Sequence, residues 1–207
     1  VMVLFQKMMS SSTRAILDAM QKRAGSLTEE RANITRETIS QTIEELGYDG
    51  QYMLDYEHKL DILISDVQVN YDNELDLLKS LIHEAQECID HETDAKTEYL
   101  LQVIQELKRK ENNYNVKFLI FTEFISTQEM LKEALEIKGG LVCETINGFM
   151  DFDRRLSALK NFKTTAQVLI STDAAGESLN MQFAHIVINY DMPWNPMVVE
   201  QRIGRVD

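Results

Sequence analysis

Four short apolar runs separated by helix-length amphipathic stretches constrain the second half of this 207-residue chain more than any other feature. The first, Val-Lys-Phe-Leu-Ile-Phe at 116–121, is followed by further runs at 141–146, 167–171 and 184–189. Continuous apolar runs of this length are the mark of strands buried on both faces of a parallel sheet. Between the first two runs, Met130, Leu131, Ala134 and Leu135 give a helix its buried stripe, Ser126 and Glu129 have capping-box spacing, and Gly139-Gly140 supplies a stop. A second helix is expected over 151–162 and a third over 197–203, with Pro196 at its first turn. Strands alternating with helices imply an α/β fold, a parallel sheet covered on both faces. Functional groups in such sheets gather at the carboxyl ends of the strands.

The first half reads differently. Neither Gly nor Pro occurs between Gly50 and Gly139, so the commonest helix breakers are missing. Apolar residues recur at helical spacing at Tyr71, Leu75, Leu78, Ile82, Ala85 and Ile89, then at Leu100, Val103 and Leu107. This predicts one long amphipathic helix, with Glu92 and Lys96 on its stripe marking where one seam stops. Upstream, a helix ending near Gly25 and another closing at Gly47 are expected. Residues 1–116 hold 22 acidic and 12 basic side chains, against 12 and 9 in 117–207. The expected organisation is an acidic helical region over 1–112, a long helical hairpin, followed by the α/β domain over 113–207.

Composition excludes several classes. No apolar run approaches the roughly 20 residues that span a bilayer, and the opening Val1 to Phe5 is too short for a signal-peptide core. A soluble intracellular protein is expected. Cys88 and Cys143 are the only two cysteines and neither belongs to a Cys/His cluster, so they read as core thiols and no metal site is expected on this chain. A net charge of −13 argues against holding nucleic acid by bulk electrostatics. Any such contact must be local.

The loops after the strands carry the chemistry. Residues 167–207 read QVLISTDAAGESLNMQFAHIVINYDMPWNPMVVEQRIGRVD, which resembles motifs V and VI of superfamily-2 helicases in their Swi/Snf-type form. Asn-Tyr-Asp-x-Pro-Trp-Asn-Pro followed by Glu-Gln-Arg-Ile-Gly-Arg is most similar to the bacterial RapA (HepA) group. FLIFTEF resembles motif IV, and Asn147-Gly148, with Arg155 and Phe162 beyond it, extends the likeness. FQKMMSSSTRAILDAMQKR resembles the helix before the second lobe of these proteins. No such signature is found in the acidic helices.

The resemblance implies a RecA-like second lobe of an ATP-dependent enzyme and assigns roles by position. Arg205 matches an arginine finger, a permanent charge with a rigid fork of donors for phosphate. Gln201 and Arg202 would complete that catalytic motif, bracing it against the nucleotide and neighbouring loops, with Arg202 as ready to pair with a carboxylate as with phosphate. Asp173, Gly176, Glu177 and Asn180 would frame the nucleotide. Thr122, Gly148, Ser171 and Thr172 would face nucleic-acid phosphate, where hydroxyls and unobstructed amides can donate. In one departure Ser178 stands where the family has glycine before Leu179-Asn180, which costs about 1 kcal/mol if that position needs a positive φ.

What is missing bears on mechanism. The chain has no Gly-x-x-x-x-Gly-Lys-Ser/Thr and no Asp-Glu dipeptide, so the phosphate cradle and the Mg²⁺ ligands for ATP are expected on a first lobe upstream. The implied partners are that lobe, double-stranded DNA, and a protein such as RNA polymerase or a defence or repair complex for the acidic helices. Two alternatives remain open from sequence: a protein-interaction module on an inactive scaffold, and an RNA helicase lobe. Trp194, between two prolines, reads as a packed anchor.

Overall fold

A computed structural model of the chain describes residues 2–45, 53–91, 94–113, 115–172, 181–193, 195–204 and 206, with side chains described within 6–29 and from 72 onward. The chain divides into two compact units, Leu17–Glu87 and the combination of Val1–Ile16 with Cys88–Asp207.

The larger unit is built on four parallel strands in the order β2-β3-β1-β4: β1 (Phe118–Thr122), β2 (Cys143–Ile146), β3 (Val168–Thr172) and β4 (Ile186–Asn189). All five residues of β1 and all five of β3 are buried, and the two-residue period of a strand divides them between two cores. Phe118, Ile120, Val168 and Ile170 pack with Leu100 and Ile104 of α4 (Ala95–Lys110) and with Leu131 and Leu135 of α5 (Ile125–Ile137). Leu119, Phe121 and Leu169 pack on the other face with Ala158 and Phe162 of α6 (Phe152–Thr164). The expected α/β sheet with helices on both faces is present. Each strand lies within about two residues of its expected range.

The helices depart from expectation in instructive ways. A helix was expected to end near Gly25, but α1 (Met2–Ser11) stops at the serine run and α2 (Thr13–Glu45) continues through Gly25. Ser12 accepts a hydrogen bond from the Ala15 amide at 3.1 Å, the favoured role of serine at a helix start. One glycine costs a helix about 1 kcal/mol relative to alanine, which a long helix absorbs. The expected single helix over 71–107 is two, α3 (Met53–His91) and α4, because Asp94 accepts from the amides of Lys96 and Thr97 at 2.9 and 3.2 Å and caps α4. The closing of a helix at Gly47 lies outside the described residues. The Ser126–Glu129 capping box does not form: α5 begins at Ile125 behind Phe124, without a side-chain cap. Cys143 is buried as expected and burial pushes its thiol up to about 12, but Cys88 is exposed.

Within Leu17–Glu87, Leu17, Met20, Leu27 and Leu78 are buried, and Arg23 Nε donates to Glu74 Oε1 at 3.1 Å. Residues 17–87 hold 16 acidic and 6 basic side chains, so most of the chain's net charge of −13 lies there. No helix among the described residues is long and apolar enough to cross a membrane.

At the end of α5, Gly140 takes a positive φ of 61° and the preceding Gly139 presses against the helix, where a Cβ would lie 2.6 Å from the Leu135 carbonyl oxygen. Gly139→Ala should therefore lower the stability of the α/β unit by about 1–3 kcal/mol in urea unfolding, the range for overpacked sites.

Candidate functional site

The parallel register brings the strand ends level. Ile146, Ser171, Phe121 and Asn189 stand in one row across the sheet, and Thr122 is paired with Thr172. β4 runs directly into Tyr190 and Asp191, which are buried at this edge.

Asp191 is the centre of the arrangement. Its Oδ2 accepts from Thr122 Oγ1 at 2.6 Å, from Ser11 Oγ at 2.8 Å and from the Glu123 amide at 3.0 Å. Its Oδ1 accepts from Lys96 Nζ at 2.9 Å. Lys96 also donates to the carbonyls of Ser10 and Ser11 and stands 3.9 Å from the centre of the Tyr190 ring. Tyr190 in turn shares a 3.1 Å hydrogen bond with Thr97. Burial alone pushes the Asp191 carboxyl up, but the hydrogen bonds from Thr122, the Glu123 amide, Lys96 and Ser11 outweigh it and hold the group below the ordinary aspartate value.

A chain of hydroxyls feeds this carboxylate. Since Ser11 gives its proton to Asp191, it accepts from Thr127 at 2.9 Å, and Thr127 accepts from Ser12 at 2.7 Å. The order Ser12 to Thr127 to Ser11 to Asp191 is the one that satisfies each bond, because a hydroxyl has a single proton to give. Lys7 adds an ion pair to Glu123 at 2.8 Å.

From the other side comes α7 (Pro196–Ile203), capped by Asn195, whose Oδ1 accepts from the Met197 amide, and carrying Pro196 in its first turn as expected. Its Arg202 is fully buried. Nη1 donates to Asn189 Oδ1 at 2.6 Å and to the Asp191 carbonyl at 3.0 Å, and the guanidinium carbon lies 4.9 Å from the centre of the Phe121 ring. A buried guanidinium is tolerated only when its donors are met. Gln201 is exposed beside it.

The remaining expected residues fall into three groups. Thr122 and Ser171 are fully buried, with their hydroxyls engaged by Asp191 and by the Thr172 carbonyl. Thr172 ends β3 and Gly148 is exposed after β2, its carbonyl accepting from Arg155 Nη2 at 2.9 Å. Gln128 of α5 joins the two strand ends, donating to the carbonyls of Ile146 and Ile170 and accepting from Asn147, next to Gly148. Asp173, Gly176, Glu177, Ser178, Asn180, Trp194 and Arg205 lie outside the described residues. Sequence reasoning passed over Asp191, Ser11 and Lys96. The available signals were an acid two residues after an apolar strand and a serine run at a helix junction.

A model of the helicase conserved C-terminal domain matches residues 95–207, more than half of the chain. The chain belongs to the helicase conserved C-terminal domain family. Over 106 residues this helicase domain is 40% identical to the uncharacterized ATP-dependent helicase YqhH of Bacillus subtilis, covering 51% of this chain and 18% of YqhH. Over 117 residues it is 32% identical to the RNA polymerase-associated protein RapA of Pseudomonas syringae pv. tomato, covering 55% of this chain and 12% of RapA. Among solved structures, the C-terminal part of the Fun30 ATPase domain is similar with a TM-score of 0.49 at 18% identity, covering 97% of this chain and 65% of that one. The RapA-like resemblance read on 167–207 accords with the YqhH and RapA matches. The helicase domain described here spans less than a fifth of the length of YqhH or RapA.

The lowered Asp191 value carries a pH prediction. A carboxyl whose folded value lies below its unfolded value of about 3.9 stabilises fully above that pH and loses the contribution as pH falls through the folded value. Asp191→Asn should therefore flatten the acid limb of a stability profile measured by urea unfolding below about pH 4, while lowering stability near neutrality.

Proposed function

We propose that this chain is the second RecA-like lobe of an ATP-dependent, double-stranded-DNA translocase, and that an upstream first lobe supplies the phosphate cradle and Mg²⁺ ligands. The observation that carries this reading is the seating of α7. Buried Arg202 ties the helix to Asn189 and the Asp191 carbonyl, and the Gly204 amide closes its end on the Glu200 carbonyl. Arg205 follows one residue after that capped end. The value of an arginine finger lies in being placed before the reaction begins, which a helix end tied down in this way would favour.

ATP, when bound, supplies a γ-phosphoryl group on which negative charge is redistributed during transfer to water. This chain's part is to bind and orient. In this proposal Arg205 donates to the phosphoryl oxygens, exposed Gln201 braces the motif, and buried Arg202 anchors α7. Asp173, Gly176, Glu177 and Asn180 are assigned to the nucleotide-facing loop. Thr172 and Gly148 are assigned to DNA-backbone phosphate, with Thr122, Ser171 and Gln128 supporting the loops that present them. Phosphate contacts of this kind fix register without reading sequence.

The acidic helical part is proposed for residues 17–87, within the expected 1–112, and the lobe is proposed to include α1 and α4 together with 113–207. The acidity of 17–87 and the RNA polymerase association that RapA's name carries favour a second role for the helices, docking a basic protein surface such as RNA polymerase or a defence or repair complex in the bacterial cytoplasm or nucleoid.

In the full-length protein, Arg205→Ala should lower DNA-stimulated ATP turnover by about 10³-fold or more, the order found for arginine fingers. Turnover at the wild-type rate would refute the assignment. Stimulation by duplex RNA in place of duplex DNA would favour an RNA helicase lobe.

A further inference from the structure

We propose that Asp191 is a positioning residue for the ATPase step, and that α1, through Ser11, is part of the same device. This inference rests on the finger assignment of Arg205. The segment that contributes Ser11 lies outside residues 95–207, which the family model matches, and is separated from Asp191 by 180 positions in sequence.

Asp191 faces two ways. Its carboxylate is fixed by Ser11 of α1, Lys96 of α4, Thr122 of β1 and the Glu123 amide. Its backbone carbonyl accepts from Arg202 of α7. The same residue therefore transmits the position of α1 and α4 to the helix that leads into Arg205. It does so without flexible intermediates, since both carboxylate oxygens are engaged and the side chain is 9% exposed. The oriented series Ser12, Thr127, Ser11, Asp191 draws α5 into the arrangement. Hydrogen bonds in such a series polarise one another, so loss of one weakens the rest.

Shifting Asp191 should tilt α7 and displace the residue beyond it. A displacement of about 1 Å at a catalytic group can cost about 10²-fold in rate, and contacts that act only in the transition state appear in kcat rather than KM. Asp191 and Ser11 touch neither phosphate nor DNA in this scheme. They act through Arg202 and α7.

The test uses the full-length protein and three variants, Asp191→Asn, Ser11→Ala and Arg205→Ala, with steady-state ATP turnover measured on duplex DNA well below the thermal midpoint. Asp191→Asn should lower kcat by about tenfold or more with KM for ATP within about twofold, and Ser11→Ala should lower kcat by a smaller factor in the same pattern. Should Asp191→Asn fail to fold, Ser11→Ala decides alone, since it removes one hydroxyl and leaves the ion pair in place. Wild-type kcat in Ser11→Ala and Asp191→Asn, together with a silent Arg205→Ala, overturns the positioning role and leaves the finger intact. Wild-type turnover in Arg205→Ala removes the finger, and this inference with it. A rise in KM matching the fall in kcat would mark a general structural defect and overturn the proposal.

Discussion

The carboxylate of Asp191 is where α1, α4, the end of β1 and the loop after β4 are joined, and its backbone carbonyl adds α7. A buried charge is costly unless every lone pair is met. Here Thr122, Ser11, the Glu123 amide and Lys96 meet them, so the elements that carry these donors are held to one geometry. Removing one partner leaves the others facing an unsatisfied group, which is how a single site comes to govern segments far apart in sequence. The sheet provides the platform, but its apolar cores specify direction only loosely. The polar edge specifies where α7 sits.

This arrangement explains why α1 belongs with the α/β unit although residues 17–87 separate it from α4. Lys7 pairs with Glu123, and Ser11 and Ser12 close on Thr127 of α5, so α1 is tied to the carboxyl edge by polar contacts. The acidic helical unit is in this sense inserted between two parts of one lobe. Its excess of acids is a feature of the sequence that the α/β core does not call for, consistent with a separate role.

The α/β half was readable because it obeys strong rules. Residues 118–121 have the unbroken apolar character that a doubly covered strand requires, and Gly139-Gly140 and Pro196 punctuate the helices where they should. The helical half was harder, since continuous amphipathic spacing does not reveal a break made by a cap. Asp94 splits the expected helix by accepting from the Lys96 and Thr97 amides, and Gly25 fails to split one because its cost is small. The family motifs were legible as residue patterns around Arg202, Thr122 and Thr172. What they could not convey was which side chains face inward: Arg202 and Thr122 are wholly buried and spend their donors on the edge itself. Asp191 was overlooked because its partners Ser11 and Lys96 are remote in sequence, and only the folded chain brings them together.

The central claim is that Asp191 couples Ser11 of α1 to Thr122 of β1, and a double-mutant cycle addresses it directly. Ser11 and Thr122 both donate to the same oxygen of Asp191. Urea unfolding of the α/β unit should be measured for Ser11→Ala, Thr122→Val and the double variant. The account predicts a coupling energy above about 0.5 kcal/mol, whereas additive effects, within about 0.3 kcal/mol, would contradict it.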